Sequence, residues 1–220
     1  MLAKQLISPR TLYLQPTDTP DQAEARFQDS CLCHLPVTRE GSLLGVLSVE
    51  TLREHRQHVS EISELRKHFD FVRVREDQHL IEVFETVAHY RLTAIPVINQ
   101  HNRSTGMVET RELLNRLSRA FSFREPGAIL LLEVGLRDYK LSEIASVVES
   151  EDVKILSLYV DFNQDHTRLY VTMKLNVNEV QSVRANLERF NYRVKIYAGV
   201  DEVEDQLKDR YDMLMRYLDI

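Results

Sequence analysis

Four residues carry polar chemistry at repeated spacing. They are Ser48 and Thr51 in Gly45-Val46-Leu47-Ser48-Val49-Glu50-Thr51, and Glu109 and Glu112 in Gly106-Met107-Val108-Glu109-Thr110-Arg111-Glu112. Each heptad leads into a stretch with helical spacing. A hydroxyl at a helix start can donate to an anion, and the positive end of the helix dipole favours negative charge there. This is chemistry for holding a ligand. Bond-breaking chemistry finds no matching constellation, and no catalytic residue is assigned. There is no serine elbow, no Gly-rich Lys loop and no second cysteine–histidine system. Only six glycines are present, which disfavours loops that wrap phosphates through backbone donors.

Two further groups invite a metal reading. Cys31-Leu32-Cys33-His34 is spaced too tightly for a usual structural zinc site, and no second pair follows. Alternation along a strand edge would put both cysteines on one face and bury them. His55 and His58, with His68 further on, could share an ion, but the surrounding charge reads as a solvated linker helix. No metal site is assigned. The same two cysteines are too close in sequence for a comfortable disulfide, so the expected setting is reducing and cytoplasmic.

The elements that must position the heptads repeat as well. Leu35-Pro36-Val37 recurs as Ile95-Pro96-Val97, some sixty residues later, and each Gly-led heptad follows its Pro-Val dipeptide at matched spacing. An acidic residue, Asp18 and then Asp77, stands before a helix in each copy. Thr19-Pro20-Asp21-Gln22 is a helix start with a capping box, running to about Ser30 with Ala23 and Phe27 inward. Leu35–Val37 and Leu43–Leu47 read as strands around a Glu40-Gly41 turn, and a helix carrying Leu52 begins near Ser48. In the second copy Phe71–Val74, Ile95–Ile98 and Gly106–Val108 read as strands. Leu80, Val83, Phe84 and Val87 share one helix face between Leu80 and His89, and a last helix covers Thr110–Phe121. Glu54–His68 reads as a connecting helix. A repeated unit buries its apolar face against its twin, and the cleft between twins suits a small molecule.

After a break at Ser122–Gly127 the pattern changes. Ile129–Val134 predicts a central strand. Leu141, Ile144, Ala145 and Val148 give a helix face. Lys154–Phe162 and Thr167–Val177 predict strands, the second with Leu169, Val171, Met173 and Leu175 on a buried face. Asn178–Gln181 reads as a capping box for a helix with Val180, Val183 and Leu187 inward, and Tyr192–Tyr197 as a final strand. The order β-α-β-β-α-β is that of a ferredoxin-like sandwich. Val203, Leu207, Tyr211, Leu214 and Leu218 give residues 200–218 an apolar stripe that packs either on its own domain or on a second chain.

Composition narrows the partners. The net charge of −6 argues against a general nucleic-acid binder, which needs a basic surface. Arg184, Arg189, Arg193 and Lys195 cluster mildly, but Glu188 dilutes them. No apolar run approaches the ~18 residues of a membrane span, and the opening residues lack the pattern of a secretion signal.

The duplicated half, roughly residues 1–121, resembles a pair of cystathionine-β-synthase-type (CBS) domains, a Bateman-type module. Residues 128–198 resemble an ACT domain. The combination resembles bacterial CBS-CBS-ACT proteins, acetoin-utilisation accessory proteins among them. The expected fold is therefore α+β: CBS domain 1 over 1–60, CBS domain 2 over 61–121, an ACT-like domain over 128–198 and a C-terminal helix over 200–220. The resemblance implies a non-enzymatic, cytoplasmic, homodimeric regulator of an unknown protein. Its ligand would be an adenine nucleotide such as AMP, ATP or S-adenosylmethionine, bound in the cleft of the CBS pair.

The family's motif reads Gly, two hydrophobics, Ser or Thr, two variable residues, then Asp. Its hydroxyl meets phosphate and its acid meets the ribose hydroxyls. Neither heptad is complete. Ser48 supplies the hydroxyl with Thr51 in the acid's place, whereas Glu112 supplies the acid with Glu109 in the hydroxyl's place. The first site is thus the better candidate for a phosphate, and the second suits an uncharged nucleoside or a cation. The backbone around Leu35, Val37, Ala94 and Val97 would wall a base ring. In the ACT half Tyr139 stands where the ligand loop usually has glycine, which favours an assembly role, and Asp138 reads as a helix N-cap. Ligand binding would shift the packing of the CBS pair and act through Ser122–Gly127. The alternative is a structural, dimerising module with both pockets degenerate.

Overall fold

The computed structural model describes residues 1–9, 12–163 and 165–198. The chain forms two compact units, Met1–Leu117 and Ser118–Ile220. The expected helix over 200–220 lies outside the described residues.

In the first unit the duplication extends to single hydrogen bonds. Helix α1 (Pro20–Ser30) leads to β1 (His34–Arg39), β2 (Ser42–Ser48) and α2 (Val49–His55). Helix α3 (Leu80–His89) leads to β4 (Ala94–Ile98), β5 (Ser104–Glu109) and α4 (Thr110–Ala120). Val37 pairs with Gly45 just before a bulge, and Val97 pairs with Gly106 just before the same bulge. Leu14 runs parallel beside Val37 as Val74 of β3 (Val74–Arg75) runs beside Val97. Thr19 caps α1 with the capping box its sequence predicts. Asp18 stands outside the helix, accepting from the Gln15 amide at 2.7 Å. Asp77 pairs with Arg75, and His79 caps α3.

The copies exchange their lead-in segments. Ala3 and Leu6 are buried in the second copy's core, and the Ser8 amide donates to the Met107 carbonyl at 2.9 Å. Asp70 makes the matching ladder with Val46 of the first copy. The approach is so close that a Cβ on Gly106 would run into Ile7. Only glycine allows it. The expected strand at Phe71–Val74 is therefore mostly a lead-in, with β3 regular only at Val74–Arg75. The expected helix over 54–68 is broken as well: α2 ends at His55, and a 3-10 turn covers Ile62–His68.

In the second unit β6 (Ile129–Gly135), β7 (Ile155–Phe162), β8 (Arg168–Leu175) and β9 (Arg193–Ala198) form one antiparallel sheet in the order β7-β8-β6-β9. Helices α5 (Leu141–Glu149) and α6 (Gln181–Arg189) pack Ile144, Val148, Val183 and Leu187 into a core with Leu130, Leu132, Val171 and Met173. This is the βαββαβ connectivity expected from the sequence, with β6 central and β8 alternating as predicted. Two helix starts differ. Helix α6 begins at Gln181 with Val180, not the expected Asn178, at its N-cap, and α5 starts after Lys140. Asp138 instead lays its carboxylate against the face of Gly135, where a Cβ would stand 2.5 Å from Oδ2. Leu141, expected inward, is exposed because it opens the helix three residues before the first buried position, Ile144.

Candidate functional site

The two heptads sit at twin places and do different things. In the first, the Ser48 Oγ accepts the Thr51 amide at 3.0 Å and donates to the Thr51 Oγ1 at 2.9 Å. Ser48 is thus the N-cap of α2, and its hydroxyl proton is directed at Thr51. In the second, Glu109 takes the place of Ser48, with its side chain 19% exposed and Oε2 3.7 Å from Arg111. Glu112 takes the place of Thr51 and pairs with Arg116 at 2.6 Å.

A cavity of about 280 Å3 opens at the second heptad. Met107, Glu109, Arg111 and Glu112 line one side. Ser8, Pro9 and Leu12 of the N-terminal lead-in close another, and Asp29, Ser30 and Leu32 at the end of α1 close the third. Glu109 and Glu112 therefore meet in one hollow to which both copies contribute, and Ser48 and Thr51 do not line it. Three larger hollows, of about 780, 770 and 380 Å3, touch neither heptad.

The four apolar residues expected as walls have no surface to offer. Leu35, Val37, Ala94 and Val97 are each 0% exposed. A residue flanked by β-ladders and core side chains on every side serves packing, and the cavity's apolar contacts come from Pro9, Leu12, Leu32 and Met107 instead. The sequence reading missed these. A usable signal existed in Ser8-Pro9, which precedes the first copy as Asp70-Phe71 precedes the second.

The seam between the copies is a second set of contacts the heptads did not disclose. The Thr93 Oγ1 accepts the Cys33 and His34 amides at 2.9 and 3.0 Å, and the Thr93 amide donates to the His34 Nδ1 at 3.2 Å. Cys33 and Thr93 are twins, aligned by the Pro-Val dipeptides, so they meet where the repeat turns on itself. Cys31 and Cys33 are exposed rather than buried, because Cys31 ends α1 in the left-handed conformation and carries the chain out of the strand pattern. Among the described residues no cluster of three or more histidine, cysteine or acidic side chains is arranged to hold a metal. The ring of His55 packs on His68 at 4.3 Å, and His58 lies beyond the end of α2.

Burial holds the His34 imidazole below its ordinary value of 6.5, against the opposing pull of Asp70 and Glu50. The folded seam thus prefers the neutral ring, whose Nδ1 must accept from Thr93. Stability from this preference is complete above the unfolded value of 6.5 and is lost as pH falls through the lower folded value. The melting temperature should drop more steeply between about pH 7 and 5 in the parent than in His34→Ala, which copies the twin residue Ala94. Parallel curves for the two proteins would refute this assignment.

Among the described residues no helix is long and apolar enough to cross a membrane. A curated inosine-5′-monophosphate dehydrogenase of Methanocaldococcus jannaschii is 20% identical over 215 residues, which is 96% of this chain and 41% of the dehydrogenase. The chain thus spans about two fifths of that relative's length. A solved CBS domain pair/ACT domain protein of Thermotoga maritima is 19% identical, with 55% of this chain and 98% of that one covered at a TM-score of 0.48. The cytosolic domain of the Mg2+ channel MgtE, solved in complex with ATP, is 24% identical, with 52% of this chain and 48% of that one covered at a TM-score of 0.45. The CBS-domain family model matches this chain twice, over residues 3–58 and 59–119, one match for each copy of the repeat. Matched once for each copy of the repeat, over more than half of its length, the chain belongs to the CBS domain family.

Proposed function

We propose that the CBS pair is a regulatory module that binds an adenine nucleoside or nucleotide in the hollow at Glu109 and Glu112, without catalysis. The observation that carries the reading is the cavity itself, lined from both copies and centred on the second heptad. At about 280 Å3 it lies at the lower edge of ligand pockets, which run from roughly 300 to 1,000 Å3. A ligand held between the copies binds one packing of the pair better than another and shifts the balance between them. The βαββαβ unit serves as an ACT-type assembly domain in a homodimer, and the regulated protein binds the assembled form.

Calorimetry on the full chain with adenosine, AMP, ATP and S-adenosylmethionine tests this. Binding of at least one is expected, and at a concentration of 100 Kd it should stabilise the first unit by about 2.7 kcal/mol. No heat and no change in melting temperature with any of them at millimolar concentration would sink the proposal. A purely structural role is the second reading. It is favoured by the first heptad, where Ser48 and Thr51 satisfy each other.

A further inference from the structure

We infer that the hollow selects its nucleoside by charge: it takes a neutral or positively charged 5′ substituent and rejects a phosphate, and Glu109 decides the choice. This rests on the nucleoside reading above and adds the class of ligand. The first support is position. Glu109 immediately precedes Thr110, the first residue of α4, where the twin heptad carries the neutral Ser48. A carboxylate there already occupies the neighbourhood in which a helix start would otherwise draw an anion.

The second support is the balance of charge. The described lining residues bring the carboxylates Asp29, Glu109 and Glu112 and the guanidinium Arg111. Asp29 is exposed and Glu112 is paired with Arg116 at 2.6 Å, so Glu109 is the poorly hydrated charge that decides the balance. The two members of the rim pair are not equally wet. The Arg111 side chain is 86% exposed, whereas that of Glu109 is 19% exposed. Charge in the partly dry hollow is weakly screened, while charge in the solvent is strongly screened. A phosphate entering the hollow therefore feels Glu109 more than Arg111, and an ammonium or sulfonium group feels attraction. The third support is size. A hollow of about 280 Å3 accommodates a base and a sugar but leaves no length for a polyphosphate.

A series of 5′-substituted adenosines tests the inference by titration calorimetry on the full chain: 5′-amino-5′-deoxyadenosine as the cation, adenosine as the neutral compound and AMP as the anion, with the charge-removing variants separating charge from size. The parent should bind the amine most tightly and AMP more weakly than adenosine by about tenfold or more, the scale of one weakly screened charge contact. Glu109→Gln keeps the shape and removes the charge, and Glu109→Ser restores the hydroxyl of the first copy. Both should narrow the gap between AMP and the amine by about tenfold. Equal affinity of the parent for all three compounds, or an unchanged ratio of AMP to amine affinity in both variants, overturns charge selection and leaves the nucleoside reading standing. Failure of all three to bind parent and variants alike removes the nucleoside reading, and this inference with it.

Discussion

Thr93→Val will melt well below the parent, with the loss confined to the first unit. The substitution keeps the shape of the side chain and removes one oxygen. That oxygen accepts two amides from the other copy, those of Cys33 and His34. Stranding a part-buried donor costs about 1–3 kcal/mol, and water can reach the more exposed Cys33 amide, so a loss of about 2 kcal/mol is expected. For a unit of this size that corresponds to a fall in melting temperature of roughly 5–10 °C. Thr93→Ser keeps the oxygen and should recover most of the loss. A Thr93→Val protein that melts with the parent would show that the seam is held by packing alone.

Gly127→Ala should damage the second unit more severely. Gly127 adopts φ 142°, a conformation that side-chain-bearing residues rarely take, and an added Cβ would collide with the carbonyl oxygen of Leu175. The obstacle is backbone in a ladder. The Ala128 amide donates to Val177 at 2.7 Å and the Leu175 amide donates to Ala128 at 2.9 Å. Neither partner can retreat without opening the edge of the sheet beside β6 and β8. Overpacking with backbone strain of this kind costs about 3 kcal/mol or more. Hydrogen exchange on the full chain should show protection lost across residues 128–198 and retained in Met1–Leu117. Uniform protection in both units would mean that the turn before β6 has room the geometry denies it.

Much of this architecture was legible as pattern. The period of Leu80, Val83 and Val87 gave α3, although Phe84, expected on the same face, is 40% exposed, and the alternation of Leu169, Val171, Met173 and Leu175 gave β8, because burial on one face imposes a period that sequence retains. Cap chemistry was less secure. Thr19 with Gln22 formed its box, but Asn178 with Gln181 did not, since a capping box is a local preference that the packing of Val180 outweighed. Buried walls were misjudged for a related reason. Leu35, Val37, Ala94 and Val97 are apolar whether they face a core or a ligand, and hydropathy is the same in both places.

The amino-acid sequence by itself determined the duplication, the twin heptads and the βαββαβ order, because each is written in short-range spacing that one chain segment carries alone. Only the tertiary structure decided which heptad opens onto a hollow. It depended on lead-ins that cross from one copy to the other, on Thr93 meeting Cys33 and His34 across some sixty residues, and on Glu109 standing half-buried at a rim. Those contacts join residues far apart in the chain. Their presence is settled by closure of the fold and by competition for space, which no local periodicity records.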